Sequence, residues 1–117
     1  MTGASDGIGA AYCELLAAQG FNIALVSRTL SKLEAVEKKC KSINPKIQTR
    51  IVQADFSNAT RAKETEVLEF YKGIYNQLSD LDIAILINNA GVMFTGKFAD
   101  TPSGSARWKD MIDINVM

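Results

Sequence analysis

An α/β fold on a parallel, doubly wound sheet is the class that this 117-residue sequence predicts. Three observations predict it. Apolar runs of strand length alternate with stretches of helical periodicity along the whole chain. Gly20 and Pro45 come before the first two of these runs, and "NNAG" closes the third. A glycine-rich turn, with glycines at 3, 7 and 9, stands directly before the first helix. There the backbone can turn tightly, and a ligand can approach without Cβ interference.

The elements follow in order. After Gly9, "AAYCELLAAQG" has helix-forming composition and stops at Gly20, a C′ glycine. "FNIALVS" is a short apolar run, predicted as a strand covered on both faces. Leu30, Leu33, Val36, Cys40 and Ile43 then fall at helical spacing between lysines and glutamates, and Pro45 marks the end. "KIQTRIVQAD" sets Ile47, Thr49 and Ile51 against Gln48 and Arg50, the alternation of an edge strand. A longer helix is predicted from Arg61 to Leu78, with Val67, Tyr71, Ile74 and Leu78 on one stripe. "LDIAILINNAG" lacks alternation and is predicted as the central strand. A looser section, "TGKFADTPSGS", leads to a last helix through Trp108, Met111 and Ile112. The pattern opens at a turn and closes within a helix, so both ends read as cut and the chain as one domain or part of one.

Composition removes several functions. Hydrophobic content of 47% and charged content of 22% suit a soluble globular protein. Thirteen basic and thirteen acidic residues balance, so no broad field recruits nucleic acid or an anionic membrane. There is no histidine, the commonest metal ligand and the usual base near neutral pH. Cys13 and Cys40 stand alone in helical segments, which points to buried thiols rather than a metal site or disulfide framework. No apolar run approaches the ~20 residues of a membrane span.

Four motifs carry chemistry. The loop spells G-x-x-x-G-x-G rather than the commoner dinucleotide spacing G-x-G-x-x-G, but N–H groups at the following helix start still suit a pyrophosphate. The first predicted strand ends at Ser27-Arg28 without a carboxylate. An acidic residue there would bind the adenosine ribose 2′-hydroxyl, whereas an arginine accommodates a 2′-phosphate. Arg28 therefore favours NADPH over NADH, although the Asp6 carboxylate in the neighbouring loop would oppose a phosphate if it faced inward. Asp55 ends the next strand, where it either faces the ligand crevice of a parallel sheet or caps the turn before "SNAT". "NNAG" follows the last strand, and the paired asparagines read as a turn on composition alone.

Taken together, "TGASDGIG", "QADFS", "LINNAG" and "MIDIN" resemble the short-chain dehydrogenases/reductases in order and approximate spacing. "DGIG", "GFNIALVSRTLSKLEAV" and "QADF" are similar to the 17β-hydroxysteroid dehydrogenase/3-ketoacyl-CoA reductase branch. The resemblance covers residues 1–117 and about the N-terminal half of such a protein. It implies a partial Rossmann sheet of strands two to four, with helices on both faces and strand one mostly missing. It implies that Gly3, Ser5, Asp6, Gly7, Ile8 and Gly9 form the pyrophosphate cradle and that Arg28 meets the 2′-phosphate. Asp55 would meet the adenine amino group and the Phe56 N–H a ring nitrogen. Asn88 would tie the central strands, while Asn89, Ala90 and Gly91 approach the ribose. Asn115 aligns with the asparagine of the catalytic tetrad, whose main chain holds a water on the proton relay.

The family's reaction also needs a tyrosine acid with a lysine four residues later, and a serine that polarises the carbonyl. Tyr12 is followed at that spacing by Leu16, Tyr71 by Tyr75 and Tyr75 by Ser79. The resemblance therefore implies an NADP(H)-dependent carbonyl reductase or alcohol dehydrogenase acting on a steroid or 3-ketoacyl-CoA, with these groups outside the chain. The alternative is a non-catalytic structural or nucleotide-binding subunit of a larger assembly. In either case another chain or a C-terminal half would complete the sheet. Cytoplasmic, endoplasmic-reticulum and mitochondrial locations stay open.

Overall fold

A computed structural model describes residues 1–60, 62–97, 100 and 105–116. Helix α1 spans Gly7–Ala18 and strand β1 Ile23–Ser27; helix α2 (Leu30–Ile43) crosses over to strand β2 (Thr49–Gln53). A 3-10 turn, Phe56–Ala59, precedes helix α3 (Glu64–Asn76), and helix α4 covers Ser105–Val116. The predicted start of the third helix at Arg61, most of the looser section (98, 99 and 101–104) and Met117 lie outside the described residues.

Local chemistry sets the helix ends. The Asp6 side chain caps α1 by accepting from the Gly7 N–H. At the other end Gly20 takes φ +88°, as its C′ position requires. Its N–H donates to the Ala17 carbonyl and that of Phe21 to the Leu16 carbonyl, a complete Schellman closure. Helix α2 stops at Ile43, two residues before Pro45.

Strands β1 and β2 pair in parallel, from Ile23 opposite Thr49 to Ser27 opposite Gln53. Side chains alternate along a strand, and β1 divides two apolar layers accordingly. Ile23 and Leu25 pack with Cys13 and Ala17 of α1 and with Leu33, Val36 and Cys40 of α2. Val26 faces the opposite way with Val52 and Ala54, against Phe56, Phe70, Ile74 and Leu78. Helices thus cover both faces, the doubly wound arrangement. The stripe of α3 differs from its predicted form in one place. Tyr71 is exposed, and Phe70 packs edge-on against Phe56 with ring centroids 5.9 Å apart. Both residues fit helical spacing, and the Phe56 ring decides between them.

Residues 1–4 run beside β1. The Met1 amino nitrogen donates to the Ala24 carbonyl (3.0 Å), the Val26 N–H to the Met1 carbonyl (3.0 Å) and the Ala4 N–H to the Val26 carbonyl (3.3 Å). On their other side the Thr2 N–H donates to the Ile87 carbonyl at 3.0 Å. The lateral order is therefore β2, β1, residues 1–4, then the segment ending in "NNAG". That segment is not the strand its apolar run predicts; the sheet of the described residues has two strands. A strand is defined by ladder bonds to a neighbour, and residues 1–4 meet the segment only from Ile87 onward. Ile83, Ile85 and Leu86 instead border an apolar cleft and remain at least half exposed. Among the described residues no helix is long and apolar enough to cross a membrane.

Cys13 and Cys40 are free and fully buried, as expected of them. Burial, with the Cys40 thiol nearby, pushes the Cys13 thiol up to about 11. The folded state therefore holds this proton through a pH range in which an unfolded chain loses it. Stability from this group is fully present below pH 9.0 and is lost as pH rises towards 11. A thiol-reactive dye at pH 8 should label neither cysteine until the protein is unfolded in urea; rapid labelling of the native protein would contradict this packing.

Candidate functional site

A cavity of about 610 Å³ opens where the glycine loop, the ends of β1 and β2 and the segment after Ile87 converge. This is the C-terminal edge of the parallel strands, where open α/β sheets place their ligands.

The loop shapes its floor. Gly3 (φ +63°) and Gly7 (φ +50°) both lie in the left-handed region. A Cβ on Gly3 would stand 2.8 Å from the Asn89 Nδ2 and 2.9 Å from the Ala90 Cα. Gly7 has nothing within 4 Å of its Cβ position and lines the cavity, so a side chain there would project into open space. Gly9 serves packing instead. It is buried and absent from the cavity wall, and its Cβ would lie 2.1 Å from the Gly3 carbonyl oxygen. Close contact between α1 and the loop depends on it.

Thr2 ties the loop to the far wall. Its Oγ1 accepts from the Asn89 N–H (2.9 Å) and the Ala90 N–H (3.0 Å). The Asn89 amide returns hydrogen bonds to the Thr2 (3.1 Å) and Gly3 (3.3 Å) carbonyls. The expected role of Asn88 thus falls to Asn89, because Asn88 is exposed and Asn89 is turned toward the loop. Gly91 carries the chain past Asn115, whose Oδ1 would be 3.2 Å from a Cβ there.

Of the thirteen residues singled out in the sequence, Gly3, Ser5, Asp6, Gly7, Ile8, Arg28, Asp55, Phe56, Asn89, Ala90 and Gly91 line this one cavity. Gly9 and Asn115 do not. Asn115 lies on α4 and clamps Val92 from both sides, its Oδ1 accepting from the N–H and its Nδ2 donating to the carbonyl, each at 2.8 Å. Its side chain thus holds the turn after "NNAG" in place. Asp55 caps its turn and also stands on the cavity wall. Its Oδ1 caps the 3-10 turn by accepting from the Ser57 N–H (3.0 Å) and hydroxyl (2.8 Å), while the residue still borders the cavity.

Other wall residues gave no clear signal in the sequence. Buried Ser27 shares a 2.8 Å hydrogen bond with Ser5, which joins the end of β1 to the loop. Lys32, on the first turn of α2, reaches back 2.6 Å to the Asp6 Oδ2. That contact, followed by the Gly7 N–H, holds the Asp6 carboxyl below the usual carboxylate range. Asp6 therefore does not stand as an uncompensated negative charge. The exposed Arg28 lends its carbonyl to the Gln53 amide (2.9 Å) and leaves its guanidinium without an ion pair among the described residues.

A positive-φ loop braced against the "NNAG" turn, with Arg28 and Lys32 on the wall beside it, makes a crevice suited to a dinucleotide. The family model of the short chain dehydrogenases matches residues 1–117. The chain belongs to this family. A very-long-chain 3-oxoacyl-CoA reductase from Coccidioides immitis is 43% identical over 119 residues, covering 100% of this chain and 32% of the relative. An inactive hydroxysteroid dehydrogenase-like protein 1 from Pongo abelii is 39% identical over 116 residues, with 99% and 32% covered. Among solved structures, a short-chain dehydrogenase from Sphingobium yanoikuyae in complex with NADPH superposes with a TM-score of 0.75 at 30% identity, covering 99% of this chain and 41% of that one. The chain thus spans about a third of the length of these curated relatives. As a member of this family it has the Rossmann architecture, and the dinucleotide bound by the neighbour suits the loop geometry described above.

Proposed function

We propose that this chain is the cofactor-binding part of an NADP(H)-dependent oxidoreductase that interconverts a carbonyl and a secondary alcohol. The cofactor supplies hydride. The chain's own residues bind and orient it: the loop from Gly3 to Gly9 receives the pyrophosphate on backbone N–H groups, and Arg28 pairs with the 2′-phosphate. Asp55 and Phe56 hold the adenine, and Asn89, Ala90 and Gly91 pass along the ribose. Asn115 contributes to the active site through the backbone it fixes. No Tyr-x-x-x-Lys occurs in the chain, so the proton donor lies outside these residues. The sheet is completed beside Ile83–Leu86, by further residues of the same protein or by another chain. Substrate in this reading is a 3-oxoacyl-CoA or a steroid, the classes named in the relatives.

The observation that carries this reading is the Arg28 guanidinium, without an ion pair among the described residues, at a strand end without a carboxylate and on the wall of the same cavity as the loop. Titration of the complete protein with NADPH and NADH is expected to give tighter binding of NADPH. Equal or tighter binding of NADH, or no binding of either, refutes it. A second reading is supported by the relative named as inactive: a nucleotide-binding scaffold without turnover. It predicts NADPH binding without reduction of a 3-oxoacyl-CoA or ketosteroid, and measurable turnover removes it.

A further inference from the structure

We infer that Lys32 is a second cationic contact for the 2′-phosphate, carried on α2 and held at the cavity mouth by Asp6. The inference rests on the NADP(H) reading above and adds a residue to it. Lys32 and Arg28 are four positions apart across the turn from β1 into α2, and both line the cavity together with Ser27 and Thr29. Lysine on an exposed helix face ordinarily has many rotamers. Here the ammonium is directed by one contact, 2.6 Å to the Asp6 Oδ2, across 26 residues of sequence. The other Asp6 oxygen is committed to the Gly7 N–H at 2.8 Å, so the carboxylate is itself fixed on the start of α1.

The pair solves an electrostatic problem in the loop. Asp6 places a negative charge where two phosphate groups must approach, which alone would oppose them. Lys32 offsets that charge, so Asp6 does not oppose the Arg28 guanidinium on the same wall. An ammonium has three donors. Asp6 takes one at the observed distance, and the remaining two can turn to a phosphate oxygen beside Arg28. The lysine is more than half exposed, so the contact is screened, and the effect expected is modest.

Two roles must be separated, direct contact with the phosphate and mere cancellation of Asp6. NADP⁺ and NAD⁺ differ only in the 2′-phosphate, and both are titrated into the complete protein by calorimetry. The wild type, Lys32→Ala, Asp6→Asn and the double variant are compared; asparagine keeps the helix cap. Lys32→Ala should weaken NADP⁺ binding about five- to tenfold and NAD⁺ binding far less. With Asp6 already neutral, the further loss of Lys32 should still weaken NADP⁺ at least about threefold, with NAD⁺ unchanged. Equal NADP⁺ affinity for Asp6→Asn and the double variant would reduce Lys32 to a counter-ion and overturn the inference. A wild type that does not favour NADP⁺ would instead overturn the functional reading itself.

Discussion

Replacing Arg28 with aspartate is expected to reverse the cofactor preference of the complete protein, from NADP(H) to NAD(H). The arginine offers a planar fork of charged donors, matched to the oxygens of a phosphate. An aspartate at the end of β1 would accept from the ribose hydroxyls and repel a 2′-phosphate, as acidic residues do at this place in dinucleotide folds. Loss of a charge-assisted contact and gain of a repulsion act in the same direction. The ratio of NADPH to NADH affinity should fall by about two orders of magnitude, most of it through weaker NADPH binding. Screening of this exposed site by solvent and the nearby Lys32 limit the effect, so low ionic strength is the condition that reveals it best. Folding should be little affected, because only the Arg28 carbonyl is engaged, by the Gln53 amide. A ratio unchanged within about threefold would remove Arg28 from the phosphate site.

Elements whose cause is local were legible in the sequence. Helix α1 ends where Gly20 supplies a left-handed residue, and β1 is apolar from Ile23 to Val26 because both its faces are covered. The edge position of β2 followed from its alternation, and the structure leaves only Val52 fully buried on it. What depends on a distant neighbour was not legible. The run "LDIAILI" has strand composition, yet composition cannot supply the backbone to which its residues would bond. Phe70 and Tyr71 fit the helical stripe equally, and a ring on another element chooses between them.

The site divides in the same way. Its glycines, Arg28 and the "NNAG" turn are identifiable because each residue type is needed for its backbone or its charge. Lys32 is one of several lysines on an amphipathic helix, and nothing local distinguishes it from the solvated ones. Thr2 stands within the loop motif, but its role as acceptor for two N–H groups appears only when residues 87 positions apart or more meet. Asn115 is similar: its motif marks it for a main-chain role, and the hold of its side chain on Val92 appears only in the structure.

The glycine with the largest structural effect is one that does not touch the cavity. Gly9→Ala should destabilise the complete protein by about 3 kcal/mol or more, measured by urea denaturation. The added Cβ would lie 2.1 Å from the Gly3 carbonyl oxygen, 2.9 Å from its carbonyl carbon and 2.7 Å from the Asn89 Nδ2. Two of these atoms are backbone and cannot rotate away. Gly3 is in turn held between the loop and Ala90, so relief requires α1 to move off the loop. Cofactor affinity should fall with stability, because the N–H groups at the start of α1 would move with the helix. Gly73→Ala provides the comparison. It lies exposed within α3, with nothing within 4 Å of its Cβ position. Alanine there should raise stability by about 0.5–1 kcal/mol through helix propensity. The two substitutions add the same methyl group to a helix, and opposite signs are expected because only one of them meets backbone. A Gly9→Ala protein within about 0.5 kcal/mol of the wild type would mean that α1 and the loop do not pack this closely.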